Sequence, residues 1–354
     1  MTKTAIVLVN LGGPDGPEAV EPFLFNLFND PAIISLPSVF RYCLARWISW
    51  KRAPIARDIY KHLGGRSPLV DMTIDQAKAL DAVLNNNSDD HEFKSFIAMR
   101  YWHPMSLEAA EKVKAYNPDS IVFLPLYPQY STTTTGSSFA EWKKCAQAVG
   151  LRAPTCGVCC YPVEPGWIAA QCELFLETMK TVKSGTKTRV LFSAHGLPKK
   201  VIEKGDPYQF QVEKTAAALA RAIADSGYNS LDCVVCYQSK VGRLEWIGPS
   251  TETEIERAAK DGVGIVIIPI AFVSEHSETL VELDIEYREL AEQAGLTNYH
   301  RVPTVQTHEK YINGLAEMVL EVLPKASHAA ELAPEGRNRA CPSERLQCPF
   351  FGAT

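Results

Sequence analysis

Residues 189–237 read RVLFSAHGLPKKVIEKGDPYQFQVEKTAAALARAIADSGYNSLDCVVCY, and this stretch decides the fold class. It places an apolar run at Arg189–His195, a helical pattern at Gln209–Asp225 and a second apolar run at Leu231–Tyr237. Short, almost continuously apolar runs are typical of parallel strands that are covered on both faces. Apolar residues three and four apart in the middle segment favour a helix with one buried face. A strand, a crossover helix and a second strand in this order predict an α/β fold with a parallel sheet.

The same alternation runs through most of the chain. Further apolar runs predict strands at Thr4–Leu11, Phe93–Tyr101, Ser120–Leu126 and Val263–Phe272. Further helical patterns lie at Pro17–Phe28, Ile74–Leu84, Ser106–Tyr116, Ser137–Val149, Trp167–Thr181, Thr251–Lys260, Ser277–Ala294 and His308–Leu323. The two resulting series separate within Gly150–Pro165. We therefore expect two doubly wound, Rossmann-like lobes, each a parallel sheet flanked by helices.

The length of the chain supports this division. At about 150 residues per domain, 354 residues suggest two domains. We expect an N-terminal α/β lobe at residues 1–150, a C-terminal α/β lobe at 151–324 and a tail at 325–354. The pattern leaves open which lobe the last predicted helix, residues 308–323, packs against.

Composition and charge exclude several classes of protein. Apolar residues make up 46% of the chain and charged residues 22%, which is ordinary for a globular protein and not for a disordered one. The net charge of −5 argues against a nucleic-acid-binding protein, which would carry a basic surface. The longest strongly apolar stretch, Val263–Val273, is shorter than the roughly 18 residues that a membrane-spanning helix needs. Because the first residues fit a strand better than a signal peptide, we expect a cytoplasmic protein.

Several well-known catalytic motifs are absent from the sequence. Gly12–Gly16 follows the first predicted strand, but it is not the G-x-G-x-x-G fingerprint of a dinucleotide-binding fold. The chain also lacks a P-loop, a G-x-S-x-G elbow and an H-E-x-x-H zinc motif. These absences disfavour nucleotide-dependent enzymes, α/β-hydrolases and zinc proteases of that type.

One candidate functional residue stands at the end of a predicted strand. His195 is the last residue of the Arg189–His195 run, and Gly196 allows the chain to turn sharply there. Pro198 is expected to prevent a helix from starting immediately. Ligands of doubly wound folds bind beyond the carboxyl ends of the strands, so His195 is a candidate for chemistry and not only a structural histidine.

A second predicted strand, Val263–Phe272, leads into a group of acidic residues. His276 follows it, and Glu278, Glu282 and Glu286 come next at intervals of four residues, which predicts one column of carboxylates on a helix. A solvated acidic face is the ordinary interpretation of such a column. Facing a second histidine, the same groups could bind a divalent first-row metal and accept protons.

Aromatic residues mark two further features. Phe23–Trp50 is aromatic and poorly periodic, and the cations interleaved with it or following it are Arg41, Arg46, Lys51 and Arg52. This pattern predicts a hydrophobic lip that takes a large apolar ligand with carboxylate tails or touches an anionic membrane surface. Trp246 lies outside the periodic elements, so it is either a core residue or one wall of a pocket for a flat ligand.

Eight ordered segments resemble one enzyme family. They are LVNLGGPDG, YKHLGGRSPL, MRYWHP, LPLYPQYSTTTTGSS, FSAHGLP, GDPYQFQVEKT, CYQSKVGRLEWIGPSTE and SEHSETLVELDIEY. Together they resemble the ferrochelatases, which insert ferrous iron into a porphyrin, and the resemblance runs from about Thr4 to Leu323. It implies two Rossmann-like lobes with the porphyrin in a cleft between them.

The resemblance also implies roles for individual residues. His195 and Glu278 match the catalytic pair that binds the metal and accepts protons, and His276, Glu282 and Glu286 match a path for protons or metal. The positions that line the macrocycle pocket or hold the propionates are Leu11, Lys51, Arg52, Tyr60, Ser67, Arg100, Tyr101 and Trp246. Leu11 replaces a methionine of some members, and Glu275 stands where others have aspartate.

The implied reaction is the insertion of Fe²⁺, a substrate, into protoporphyrin IX to form protohaem with release of two protons. Neutral imidazole suits proton acceptance near neutral pH, and carboxylates supply oxygen ligands to the metal. Coproporphyrin III or another tetrapyrrole is an alternative substrate. A non-catalytic carrier of porphyrin or haem is an alternative of another class. The partners implied are the porphyrin, the inner-membrane surface and other enzymes of the haem pathway, with no nucleic acid; the oligomeric state is left open.

The ten cysteines fall into three groups. Cys43, Cys172, Cys233 and Cys236 lie in apolar periodic segments, so we expect buried, inert thiols there. Cys145, Cys156, Cys159 and Cys160 crowd one segment, and Cys341 and Cys348 lie in the tail. Several ferrochelatases carry a 2Fe–2S cluster on four thiolates. The resemblance therefore implies a cluster on the four crowded cysteines, with the tail pair plus two of Cys156, Cys159 and Cys160 as the alternative and unligated thiols as the third interpretation. An iron–sulfur redox or sensing protein is a further hypothesis.

Overall fold

The computed structural model describes residues 1–86, 90–183, 185–242, 244–327, 331–333, 341–342 and 344–349. The described residues form two compact units. Among the described residues, the first unit contains those up to 160, 315–327, 331–333 and 349, and the second contains those from 161 to 314, 341–342 and 344–348. The last helix is divided between them, since its residues up to Gly314 belong to the second unit and those from Leu315 to the first. Much of the tail at 325–354 lies outside the described residues.

Strands and helices alternate along the chain, as predicted. The strands are β1 (Thr2–Asn10), β2 (His91–Met99), β3 (Ser120–Pro125), β4 (Thr155–Val158), β5 (Thr188–His195), β6 (Asp232–Gln238), β7 (Gly264–Pro269), β8 (Tyr299–Arg301) and β9 (Glu331–Ala333). The α-helices are α1 (Val20–Phe28), α2 (Ser38–Lys61), α3 (Leu69–Asn86), α4 (Ser106–Tyr116), α5 (Ser137–Ala148), α6 (Pro165–Met179), α7 (Lys199–Glu203), α8 (Tyr208–Asp225), α9 (Thr251–Lys260), α10 (Ser277–Leu280), α11 (Tyr287–Gln293) and α12 (Glu309–Val322). Pro17–Ala19 and Leu323–Lys325 are 3₁₀-helices, and Thr132–Gly136 and Glu282–Glu286 are π-helices.

Each unit contains one parallel sheet. The first sheet has the order β2-β1-β3-β4-β9, and the second has the order β6-β5-β7-β8. Every strand pair in both sheets is parallel. The first strand of each unit thus lies between the second and the third, so the strand order reverses next to β1 and next to β5. In doubly wound sheets such a reversal is where ligands bind, beyond the carboxyl ends of the strands.

Both sheets are covered by apolar side chains, which explains the continuously apolar strands. In the first unit β1 contributes Ala5, Val7 and Val9 to a buried cluster with residues of α4 and α5. In the second unit Leu191 of β5 and Ile267 of β7 pack against residues of α9 and α11. The predicted fold class is therefore confirmed.

Some predicted elements differ from the structure. The poorly periodic stretch Phe23–Trp50 contains most of a long helix, α2. Several aromatic residues of this helix are exposed, so its apolar residues do not repeat along one buried face. A helix, α7, begins directly after Pro198, so the expected delay is wrong; Pro198 occupies the N-cap position, where its backbone is extended (φ −58°, ψ 133°) and its missing N–H costs nothing. The predicted helix Ser277–Ala294 is divided into α10, the π-helix Glu282–Glu286 and α11.

Candidate active site

His195 is the last residue of β5, at the point where the second sheet reverses its strand order. The turn after it is tight: the Gly196 N–H donates to Gln238 O at 2.9 Å. A Cβ at Gly196 would lie only 3.0 Å from Gln238 O and 3.1 Å from the Trp246 ring, so a side chain here would crowd both neighbours. The Tyr208 hydroxyl donates to the His195 carbonyl at 3.0 Å and holds the backbone from the other side.

His195 and Glu278 form a hydrogen-bonded pair. The distance between His195 Nδ1 and Glu278 Oε2 is 2.8 Å, and the two side chains are 36% and 30% exposed, which leaves them accessible to a substrate. Burial by itself would lower the pKa of His195, but the Glu278 carboxylate stabilises the imidazolium and holds that pKa above its ordinary value. Burial also opposes ionisation of Glu278, yet the attraction of His195 keeps the pKa of this carboxyl below its ordinary value. Since a carboxylate only accepts, His195 Nδ1 carries the hydrogen and Nε2 is the basic nitrogen of the neutral ring.

His276 orients Glu278 from the backbone. It is the N-cap of α10, and its Nδ1 accepts a hydrogen bond from the Glu278 N–H at 3.0 Å. Burial lowers the pKa of His276, so its ring stays neutral and available as this acceptor. The ring of Phe272 packs edge-on against it, with the centroids 4.6 Å apart.

Glu282 lies at the start of the π-helix and is held by four donors. It accepts hydrogen bonds from the Ser239 N–H at 2.8 Å, the Ser239 hydroxyl at 2.5 Å, Gln238 Nε2 at 3.0 Å and the Tyr287 hydroxyl at 3.0 Å. Burial and the neighbouring Glu278 carboxylate raise the pKa of Glu282 to about 6. A carboxyl of this kind changes its protonation near neutral pH, as a group that passes protons must.

The Ser239 hydroxyl connects the two carboxylates, because it also lies 3.3 Å from Glu278 Oε2. Glu286, the third glutamate of the predicted column, is exposed at the end of the π-helix. The predicted single column on one regular helix is wrong, because the π-helix changes the rotation between successive residues.

Trp246 lies next to His195. The two rings are 6.4 Å apart between centroids and inclined at 73°, and Trp246 Nε1 donates to Val241 O at 3.1 Å. Trp246 is half-buried, which favours the pocket-wall interpretation over the core interpretation. The structure thus brings His195, His276, Glu278, Glu282 and Trp246 together within the second unit.

The predicted porphyrin-binding residues of the first unit fall into two sets. Leu11, Tyr60 and Tyr101 belong to one apolar cluster, and the Tyr101 N–H donates to Leu11 O at 3.0 Å. Ser67 lies close to this cluster, because a Cβ on Gly13 would collide with Ser67 and lie 4.0 Å from the Tyr60 hydroxyl.

The second set is charged. Lys51 and Arg52 lie on α2, and Arg100 follows β2. Lys51 Nζ lies 5.2 Å from the centre of the Trp47 ring, and the Arg52 guanidinium 6.0 Å from the Phe28 ring. Both cations therefore stand over aromatic rings of the predicted lip.

Arg100 is anchored by a buried acid that the sequence interpretation missed. Asp30, which is 4% exposed, accepts from Arg100 Nη2 at 2.7 Å, from the Tyr101 hydroxyl at 2.8 Å and from the Ser137 hydroxyl at 2.5 Å. Arg100 Nε also donates to Ser137 Oγ at 2.8 Å. Asp30 therefore fixes two predicted pocket residues at once.

The four crowded cysteines do not converge on one point. Cys145, Cys159 and Cys160 belong to one buried cluster of the first unit, and the Cys159 and Cys160 sulfur atoms are 3.4 Å apart. Cys156 pairs in register with Val122, whose neighbours Ile121 and Phe123 face that cluster, so Cys156 faces the opposite side of the sheet. Burial raises the pKa of Cys145 to about 11 and that of Cys156 to about 12, which disfavours thiolates.

The remaining cysteines are also located. Cys341 and Cys348 are buried, and Gln211 Nε2 donates to Cys341 Sγ at 3.1 Å. Cys172 and Cys236 are buried as expected, whereas Cys43 is exposed on α2 and Cys233 is only half-buried, so those two expectations are wrong. Within the described ranges, no three His, Cys, Asp or Glu side chains are grouped so that they could hold a metal ion.

Comparison with known proteins gives a consistent result. The family model described as Ferrochelatase matches residues 3–323. A protein of Caulobacter vibrioides named Ferrochelatase is 51% identical over 347 residues, which cover 98% of this chain and 97% of the relative. One of Pelagibacter ubique with the same name is 47% identical, with 98% of both chains covered. Among solved structures, SirB from Bacillus subtilis with Fe³⁺ is similar in fold, with a TM-score of 0.51 and 11% identity over 91% of this chain and 95% of that one.

Proposed function

This chain belongs to the ferrochelatase family, and we propose that His195 and Glu278 carry out the reaction of that family in it. The reaction inserts Fe²⁺ into protoporphyrin IX and gives protohaem and two protons, so the chain is an enzyme of the lyase class. The observation that carries the assignment of the residues is the accessible hydrogen-bonded pair of His195 and Glu278 at the strand-order reversal of the second sheet.

Metal insertion makes two demands on the protein. Two pyrrole N–H protons must leave the macrocycle before all four nitrogens can bind the metal, and Fe²⁺ must exchange water for protein or porphyrin ligands. A neutral imidazole can accept a proton or bind Fe²⁺ through the same nitrogen, and a carboxylate offers the hard oxygen ligand that Fe²⁺ also accepts. His195 Nε2 and the carboxylate of Glu278 supply these two functions side by side.

Protons need a route away from His195. When His195 Nε2 accepts a pyrrole proton, its Nδ1 hydrogen can pass to Glu278 Oε2, which is 2.8 Å away. The Ser239 hydroxyl then connects Glu278 to Glu282, whose pKa of about 6 suits a group that takes up and releases protons. His276 contributes by holding the backbone of Glu278, and Glu286 is the exposed end of the acidic segment.

The ring-binding residues are assigned to the first unit and Trp246. We assign Leu11, Tyr60 and Tyr101 to apolar and aromatic contact with the macrocycle, and Ser67, Arg100, Lys51 and Arg52 to its propionates. In this structure Lys51 is exposed, whereas Tyr60, Ser67 and Tyr101 are 8%, 6% and 1% exposed. Binding energy from these contacts can be used to bend the flat ring toward the geometry that the metal needs.

The exposed face of α2 supports peripheral contact with a membrane. Phe40, Trp47 and Trp50 are 69%, 54% and 65% exposed, next to Arg46 and Lys51. Aromatic residues interleaved with cations are typical of surfaces that lie in the headgroup region of an anionic bilayer. Among the helices that the structure describes, none is long and apolar enough to cross a bilayer. We therefore propose that the enzyme is cytoplasmic and that it docks on the inner membrane through α2.

A 2Fe–2S cluster is a separate proposal, and the placement of the cysteines bears on its two candidate ligand sets. Cys156 faces away from Cys145, Cys159 and Cys160, so these four thiols as arranged do not fit the cluster as a set. The alternative set needs Cys341 and Cys348, which are buried in the second unit. A visible absorption spectrum of the purified protein tests the proposal: charge-transfer bands that disappear in Cys341→Ser support the tail set, and a colourless iron-free protein contradicts both sets.

Turnover by the purified wild-type protein tests the proposed function. We expect anaerobic Fe²⁺ and protoporphyrin IX to give protohaem catalytically, and protoporphyrin IX to react faster than coproporphyrin III in a competition. A faster reaction with the tetracarboxylate would reverse the choice of substrate. Binding of porphyrin without any metal insertion would support the carrier alternative instead.

A further inference from the structure

Arg301, the last residue of β8, holds two acidic side chains in the second unit. Its Nε and Nη2 atoms donate to the two oxygens of Asp284 at 2.7 Å each. Its Nη1 atom donates to the two oxygens of Glu275 at 2.9 and 3.1 Å. The Arg301 and Glu275 side chains are only 10% and 5% exposed. One planar guanidinium therefore joins two carboxylates in the fork geometry that only arginine offers.

In the sequence, the two carboxylates lie at the two ends of the segment Glu275–Asp284, which we call the catalytic segment. Glu275 directly precedes His276, and Asp284 lies inside the π-helix that begins with Glu282. Glu275 is also fixed by the Thr304 N–H at 2.9 Å, immediately beyond β8. The stretch from Glu275 to Asp284 carries His276, Glu278 and Glu282, and both of its ends are tied to the same side chain.

The chain conformation of this stretch is irregular, so it needs such support. The short helix α10 and the π-helix meet at Val281 (φ −109°, ψ −58°), and neither provides the regular hydrogen bonding of a long α-helix. A displacement of Glu282 relative to Glu278 would break the contacts that both make with Ser239. Groups that bind a metal lose much of their effect when their supporting contacts are lost.

We propose that Arg301 is a positioning residue for metal insertion, which fixes Glu278 and Glu282 relative to each other by bridging Glu275 and Asp284. The inference rests on the proposed function of His195 and Glu278. Arg301 acts through its two carboxylate partners, and the porphyrin-binding residues assigned to the first unit do not depend on it.

The chain offers a matched control in Arg189. This arginine also bridges two acids, with Nε 2.6 Å from Asp232 and Nη2 2.8 Å from Asp261, and its side chain is 8% exposed. It lies near the amino end of β5, whereas His195 is the carboxyl end of the same strand. Loss of Arg189 therefore removes the same kind of ion pair from the same unit without touching the catalytic segment.

The experiment compares Arg301→Met, Arg301→Lys and Arg189→Met with the wild-type enzyme. For each protein we measure kcat, KM for Fe²⁺, the dissociation constant for protoporphyrin IX by fluorescence and the midpoint of thermal unfolding. We expect Arg301→Met to lower kcat/KM for Fe²⁺ by about 10- to 100-fold with unchanged porphyrin affinity, as loss of a supporting contact to a metal site does. Arg301→Lys keeps a cation but bridges the two acids less well, so it should recover part of the loss. Arg189→Met should lose thermal stability and keep wild-type kinetics.

Four outcomes would overturn the inference or its premise. If Arg301→Met and Arg189→Met have the same kinetics, Arg301 has only a structural role. If Arg301→Met loses porphyrin affinity in the same proportion as turnover, the effect is not confined to the metal site. A wild-type protein that inserts no metal contradicts the proposed function itself, and the inference with it. Where Arg301→Met does not fold, full wild-type kinetics in Arg301→Lys contradict the bridging role.

Discussion

At the scale of residues, the proposed chemistry depends on the hydrogen bond between His195 and Glu278. His195 is partly exposed, yet its pKa is held above the ordinary value because Glu278 lies 2.8 Å from Nδ1. A protonated imidazole cannot accept a pyrrole proton or bind iron. Metal insertion should therefore decline as the pH falls through the pKa of His195.

Replacement of the carboxylate tests this electrostatic coupling. In Glu278→Gln the negative charge is lost, so the imidazolium is less stable and the pKa of His195 should fall. NMR titration of the histidine ring protons measures this, with His195→Ala to assign the signal. Glu173→Gln is the control, because Glu173 forms an analogous pair with His308 at 3.2 Å in the same unit. An unchanged His195 titration in Glu278→Gln would contradict the coupling.

The sequence predicted some residues of the candidate site and missed others for identifiable reasons. His195 could be found because an apolar run ends on it and Gly196 follows. Ser239 could not be found, because a serine after a strand looks like an ordinary turn or cap residue in the sequence. Its φ of 64° and its two hydrogen bonds to Glu282 are visible only in the structure. Asp30 was missed because its partners Arg100 and Ser137 are 70 and 107 residues away in sequence.

At the scale of elements, two short strands, β4 and β9, form one edge of the first sheet. β9 has three residues and pairs with β4, which has four. Strands of this length show no periodicity that a sequence reading can use, and so β4, β8 and β9 were not predicted. The π-helix at Glu282–Glu286 was missed for a similar reason, because its residues fit an α-helical pattern equally well.

Leu332 in β9 provides a test of this edge strand. Its side chain is 6% exposed and packs into the apolar cluster of the first unit, and a Cβ at Gly157 would lie 2.8 Å from its Cδ2 atom. Leu332→Ala should lower the free energy of unfolding by about 2 to 5 kcal/mol, as for other buried leucines. Leu320→Ala, at a residue 48% exposed, should have little effect. Equal denaturation midpoints for the two variants would mean that β9 does not stabilise the sheet.

The helix α2 is the element that we assign to membrane contact. Trp47→Ser and Trp50→Ser together should reduce sedimentation with anionic lipid vesicles, because they remove the most exposed indole rings of this surface. The control pair, Leu244→Ser and Leu320→Ser, replaces exposed leucines outside α2 and should leave vesicle binding unchanged. Two results would count against this role of α2. One is wild-type protein that binds neutral and anionic vesicles equally well, and the other is an equal loss of vesicle binding in the two pairs of variants.

At the scale of the whole molecule, the charge pairs make stability depend on pH. Burial would raise the pKa of Glu275, but Arg301 and the hydrogen bonds around the carboxyl keep it below its ordinary value. The folded-state pKa is thus lower than the unfolded one. The stabilising contribution is fully present above the unfolded-state pKa and is lost as the pH falls through the folded-state pKa.

Glu275→Gln should therefore flatten the acid side of the stability profile. Chemical denaturation at a series of pH values below the ordinary pKa of glutamate measures the slope. Glu245→Gln is the control, since Glu245 pairs with Lys199 at the surface and is 77% exposed, where such pairs contribute little. A slope that is the same in Glu275→Gln as in the wild type would show that Glu275 is not linked to folding.

The sequence contains two kinds of information about the whole molecule. The alternation of apolar runs and helical patterns predicted both sheets, because buried parallel strands leave a strong compositional signal. The physical reading of the strand ends gave a site for a divalent metal and for protons, but no substrate. The tetrapyrrole came from the eight family-like segments, since the shape of a binding pocket depends on residues that are far apart in the chain.

The central claim is that His195 and Glu278 perform metal insertion and do not merely hold the fold together. Its most direct test is the rate of protohaem formation from Fe²⁺ and protoporphyrin IX by His195→Ala, with porphyrin affinity measured on the same sample and His308→Ala as the control histidine. We expect kcat to fall by about 100-fold or more in His195→Ala, with porphyrin affinity retained and with His308→Ala unaffected. A His195→Ala enzyme that makes protohaem at the wild-type rate would contradict it.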